Sequence, residues 1–132
     1  MTFLLHRDTC EAWVRGVRAV RGHALRNQGN LNISAVTVME LGLYVLRAGR
    51  RFQLQLGYFA LKQQVAVIAV DDRLAEQAAL VGSGLPAGAP RLSRLALIVV
   101  ATALEHGTTL VTHNVQRYAH IPGLTVVDWM VP

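Results

Sequence analysis

Val65-Ala66-Val67-Ile68-Ala69-Val70-Asp71-Asp72 is the stretch whose reading decides the fold class. Six consecutive apolar residues, four of them β-branched, read as a strand buried on both faces. Asp71 or Asp72 then caps a helix running to about Val81. The same alternation extends in both directions. Upstream, Thr2–Leu5 reads as a short buried strand. Asp8-Thr9-Cys10-Glu11 has the Asp-x-x-Glu spacing of a capping box, with Asp8 as the N-cap of a helix that turns Trp13, Val14, Val17 and Val20 to one face. Gly22 and Gly29 punctuate a second, weaker helical stretch, and Leu31–Ser34 reads as another strand. Thr37-Val38-Met39-Glu40 repeats the capping-box spacing and opens a helix with Leu41, Tyr44 and Val45 inward. After the break at Gly49-Arg50-Arg51, Phe52–Gln63 is helical. Downstream, Gly82, Gly84, Pro86 and Gly88 mark a loop. Ser93 caps a helix ending at His106, with Gly107 as its C-terminal cap. Thr108–Thr112 and Leu124–Val127 complete the strands. The expected architecture is α/β, a small parallel sheet flanked by helices in three layers.

The 132 residues fit one domain, 1–132. An apolar fraction of 52% against 16% charged excludes a disordered chain. No apolar run approaches the roughly 20 residues of a membrane span. The apolar start of the chain is cut short by His6, Arg7 and Asp8, so no secretory signal is read. With a single cysteine, Cys10, the expected location is the cytoplasm. Cys10 has no histidine and acid at a nucleophile's spacing and reads as a buried small hydrophobe, while Trp13 and Trp129 read as core or interface residues. Basic residues outnumber acidic ones 13 to 8, and all but Lys62 of the basic set are arginine. Arginine forks bind phosphate in pairs of hydrogen bonds, which makes RNA an expected partner.

Four stretches together resemble the PIN-domain family, and within it the VapC-type toxins of toxin–antitoxin pairs. They are Phe3-Leu4-Leu5-His6-Arg7-Asp8-Thr9-Cys10, Ile33-Ser34-Ala35-Val36-Thr37-Val38-Met39-Glu40-Leu41, Ala101-Thr102-Ala103-Leu104-Glu105-His106-Gly107, and Leu110-Val111-Thr112-His113-Asn114 with Ile121-Pro122-Gly123-Leu124 and Asp128-Trp129. The resemblance implies a metal-dependent ribonuclease ancestry. In such a site a cluster of carboxylates holds Mg²⁺ or Mn²⁺, and the metal activates water against a phosphodiester. It also implies an antitoxin-like small protein as partner, and a homodimer.

The chain departs from the family's pattern at the site itself. The family's first acid falls on His6, a later one on Ala96, and the C-terminal pair on Asn114 and Arg117, leaving Glu40 as the residual acid. Asp8 is a candidate supporting residue, or simply the cap of its helix. Glu40 likewise reads as a residual ligand or as the third residue of its capping box. Imidazole at position 6 suits transition metals better than Mg²⁺, and Arg117 opposes any cation. We therefore expect no resident metal, with Mg or Mn if the nuclease survives, and a Glu40–Arg117 or Glu40–His6 contact in the metal's place. Arg7, Arg91, Arg94 and Arg117 are the candidate RNA-binding residues. The expected function is that of a degenerate VapC-like protein acting by binding RNA or a protein. The alternative is an active Mg- or Mn-dependent endoribonuclease toxin with a reduced acid cluster.

Overall fold

The computed structural model describes residues 1–132. Five strands, β1 (Phe3–Leu5), β2 (Leu31–Ser34), β3 (Ala66–Ile68), β4 (Thr109–Val111) and β5 (Val126–Val127), alternate with seven helices. These are α1 (Arg7–Arg15), α2 (Arg18–Arg26), α3 (Ala35–Arg47), α4 (Phe52–Gln64), α5 (Asp72–Ser83), α6 (Arg94–His106) and α7 (Val115–Tyr118). The strands form one sheet in the order β3-β2-β1-β4-β5, with every pair parallel. A three-layer α/β arrangement follows from the pleat. Phe3 and Leu5 point to one face, where they join Leu31, Ile33 and Val111 beneath α1 to α4. Leu4 and Leu110 point to the other, where they pack with Val99, Val100 and Ala103 of α6 and Tyr118 of α7. Cys10 is fully buried, and Trp13 and Trp129 lie in the first core, as their apolar bulk predicts.

Helix starts explain the main differences from the sequence reading. α1 begins two residues earlier than its capping box predicts. His6, with extended backbone, is the N-cap, and Asp8 sits in the first turn. α3 begins at Ala35 because the Ser34 hydroxyl accepts the Val36 N–H at 3.2 Å. Thr37 and Glu40 are therefore inside the helix, and the Thr-x-x-Glu spacing caps nothing. The Asp71 and Ser93 caps are as expected, accepting from Leu74 N–H at 2.8 Å and Ala96 N–H at 3.1 Å.

The Val65–Val70 run is a correction. It supplies a strand, but one of three residues at the sheet edge, with Ala66 and Val67 exposed rather than buried on both faces. The ends of the run meet the core, Val65 packing on the α1–α4 side and Val70 against α5 and α6. β-Branched density marks a strand but does not distinguish an edge from a centre. No helix is long and apolar enough to cross a membrane.

Candidate functional site

From β1 the chain moves outward to β2 and β3, then returns past β1 to β4 and β5. The crevice at the C-terminal ends of β1 and β4 is thus the topological switch point, where open parallel sheets bind ligands. His6 follows β1 there, its N–H bonded to the Val111 carbonyl at 2.9 Å, and Thr112, His113 and Asn114 follow β4. Thr9 Oγ1 donates to the same Val111 carbonyl at 3.0 Å and locks the start of α1 against β4.

Asp8 is the centre of this edge. Its Oδ2 accepts from the Thr112 hydroxyl at 2.7 Å and from the His113 N–H at 3.0 Å. Its Oδ1 accepts from the Thr9 N–H at 2.7 Å and faces His6 Nδ1 at 3.2 Å. The Asp8 N–H also approaches His6 Nδ1, at 3.4 Å, as a helix cap would. One ring nitrogen cannot accept from the amide and donate to the carboxylate at once. The carboxylate contact is shorter and a lone pair facing it would repel, so Nδ1 carries the proton. His6 Nε2 then accepts from the Tyr118 hydroxyl at 2.9 Å when the ring is neutral. Burial pushes the Asp8 carboxyl up, but the His6 hydrogen bond and charge, the Thr112 hydroxyl and His113 outweigh it. The carboxyl is held well below the usual carboxylate range. Burial, with the charge of Asp8, pushes the Tyr118 phenol up to about 12, so it remains an O–H donor at neutral pH.

Glu40 lies on the same edge, but its partner is neither Arg117 nor His6. Its Oε2 is 3.5 Å from Arg7 Nε. The expected contacts lose to other hydrogen bonds: both nitrogens of His6 are engaged, and Arg117 donates from Nη1 to the Arg91 carbonyl at 3.3 Å. Burial raises the Glu40 carboxyl above its ordinary value, against the lowering charges of Arg7 and His6. Ala96, where the resemblance places an acid, is buried with Leu4, Val99 and Tyr118 in apolar packing. Asn114 occupies the N-cap position of α7 without a side-chain cap bond, so the turn forms but the amide does not hold it. Arg94 opens α6, three residues after Arg91. His113 Nδ1 is buried without a hydrogen-bond partner, 3.7 Å from Asp128 Oδ1.

Three participants are absent from the sequence reading in these roles: Tyr118 as the cap on His6, Arg7 as the counter-ion of Glu40, and Thr112 as the hydroxyl on Asp8. Tyr118 and His6 are 112 positions apart, and no local spacing signals their contact. The donors present do not fit a hard divalent cation. No three His, Cys, Asp or Glu side chains group as a metal site would require, and Asp8 and Glu40 are each engaged within the chain. A mixed His6, His113 and Glu40 trio for a transition metal is not assembled either.

No protein-family model matches the sequence, and no curated protein matches it. Solved structures do. Over 98% of this chain and 99% of the other, the fold is similar to a chain of VapBC2 from Rickettsia felis bound to a DNA fragment from its promoter, with a TM-score of 0.86 and 18% identity. A chain of DNA-bound VapBC from Salmonella typhimurium gives 0.79 at 20% identity, with 98% of each chain covered. A toxin–antitoxin complex from Klebsiella pneumoniae gives 0.75 at 24%, covering 97% of this chain and 98% of that one. The chain has the VapC-type PIN fold.

Proposed function

We propose that this chain is a VapC-like protein of a toxin–antitoxin type system that has exchanged its divalent-metal site for internal hydrogen bonds and an ion pair and acts by binding. One observation carries the reading. Asp8 and Glu40 each have partners supplied by the chain itself, Asp8 by His6, Thr112 and His113, and Glu40 by Arg7. A hard cation must displace those partners as well as shed its own water, and Ala96 and Arg117 offer it nothing in return.

Two binding surfaces support the reading. Arg91, Arg94 and Arg117 are exposed, with Arg117 on the Arg91 carbonyl and Arg94 three residues on, and suit an RNA backbone. On the α1–α4 side, a groove of about 680 Å³ runs between α1, α2 and α4. Its floor includes Trp13, Val14, Ala24 and Leu56, with Arg15 and Arg21 at its wall. An apolar floor flanked by two guanidiniums fits an amphipathic helix carrying acids, the form an antitoxin-like partner would offer. Two of the solved neighbours are VapBC bound to DNA, and a third is a toxin–antitoxin complex.

Titration calorimetry with Mn²⁺, beside RNA binding in chelator, tests the reading. The expected result is no Mn²⁺ heat above buffer and RNA binding that survives chelation. Stoichiometric Mn²⁺ binding abolished by Glu40→Ala would return the chain to the metal-dependent nucleases.

A further inference from the structure

His113 follows β4 at the C-terminal sheet edge, and its main chain is committed there: the N–H donates to Asp8 Oδ2 at 3.0 Å. Its ring is not committed. Nδ1 is shut from water and has no hydrogen-bond partner, a state few buried polar atoms are left in. Asp128 Oδ1 stands 3.7 Å from it, close enough for an ion pair and too far for a hydrogen bond. The side chain is 28% exposed, so with Nδ1 turned inward Nε2 is the nitrogen that meets solvent. His6, on the same edge, has both ring nitrogens engaged and no such freedom.

We infer that His113, backed by Asp128, is a proton-dependent contact for an RNA phosphate, so that RNA binding at this edge takes up a proton. The inference rests on the reading of the chain as an RNA-binding protein. A neutral ring with its proton toward Asp128 turns a lone pair outward, and that lone pair repels a phosphate oxygen. The imidazolium has an N–H on each side, one toward the carboxylate and one toward the phosphodiester. Both anions therefore favour the same proton. The surrounding charges leave this role to His113. On α1, Asp8 is met by His6, Thr9 and Thr112, and Arg7 is held by Glu40 of α3. After β5, Asp128 has a single donor, the Met130 N–H at 2.8 Å, and so keeps capacity for the ring. On α7, Arg117 follows four residues after His113, exposed and lying on the Arg91 carbonyl, where it can take an adjoining phosphate. An acidic peptide has its own place in the α1–α2–α4 groove, which favours RNA as the anion here.

Affinity for a mixed transfer RNA pool in chelator, read between about pH 5 and pH 8, tests this. The parent should bind roughly tenfold tighter at the acid end, the worth of one charge-assisted hydrogen bond. Calorimetry in two buffers of different ionisation heat should show proton uptake on binding. His113→Gln gives up no side-chain hydrogen bond, so it should keep the parent's melting temperature while losing most of the pH dependence and the proton uptake. Asp128→Asn, which can still accept from Met130, should move the gain in affinity to lower pH. His120→Gln, at an exposed histidine paired with no carboxylate, should behave as the parent. RNA binding without pH dependence, or with one that survives His113→Gln, overturns the inference and leaves the proposed function standing. RNA that binds at no pH defeats the proposed function, and the inference with it. Inorganic phosphate or an acidic peptide that binds with the affinity and pH dependence of RNA would give the contact to a different ligand and overturn it too.

Discussion

Asp8 and Glu40 are two carboxylates on one sheet edge, and their surroundings push them in opposite directions. Asp8 is stabilised as an anion by three donors and an imidazole. Its folded pKa lies below the ordinary value, so its contribution to stability is fully present above about pH 4 and fades as the pH falls through the depressed value. Asp8→Ala should cost about 3 kcal/mol at pH 7, because it strands Thr112, the His113 N–H and His6 together. Urea unfolding at pH 7 checks the loss, and the gap to the parent should narrow in acid. Glu40 has the other sign. Its raised pKa means the charged form is the less favoured one in the fold, so what stability it gives is present in acid and lost as the pH rises through that value. Glu40→Gln should therefore be neutral or slightly stabilising at pH 7, within about 0.5 kcal/mol. Tyr118→Phe removes only the hydroxyl on His6 and should cost about 1 kcal/mol. The departures from the family's pattern at His6, Ala96, Asn114 and Arg117 were legible, since each is a residue type at a position. The contacts around them were not. Arg7 meets Glu40 and Tyr118 meets His6 only through the packing of distant elements, which no spacing along the chain records.

At the scale of elements, the strands and helices were legible because hydrophobic period and caps act locally. Leu31–Ser34, Ser93 and Gly107 fall where the residues place them. Errors arose where two residues competed for one role. Ser34 stands three residues ahead of Thr37 and caps α3 first, and His6 with extended backbone precedes Asp8. Burial of the Val65–Val70 strand was illegible, because a strand's place in the sheet depends on what pairs with it. The α1–α4 crossing shows the same non-local control. A Cβ at Gly57 would stand 2.5 Å from the Val14 carbonyl oxygen. Gly57→Ala should force the helices apart and destabilise the protein by about 2 kcal/mol. It should also weaken any partner held in the groove these helices wall. Gly42→Ala, on the open face of α3, should instead gain helix stability by up to about 1 kcal/mol. Thermal melts of the two variants side by side separate a packing glycine from an unconstrained one.

For the whole molecule, a net charge of +5 carried almost entirely by arginine makes the account's binding claim salt-dependent. RNA affinity should fall linearly with salt on logarithmic axes. Replacing Arg91, Arg94 or Arg117 by alanine should each lower the slope by roughly one. An unchanged slope in all three would place the RNA surface elsewhere. The claim that the chain's own donors stand where a metal would act is tested most directly by cleavage of a mixed transfer and ribosomal RNA pool with Mn²⁺ or Mg²⁺. The parent and Glu40→Ala proteins run side by side. The account predicts that neither cuts above the metal-only background. Metal-dependent cutting by the parent that disappears in Glu40→Ala would contradict it.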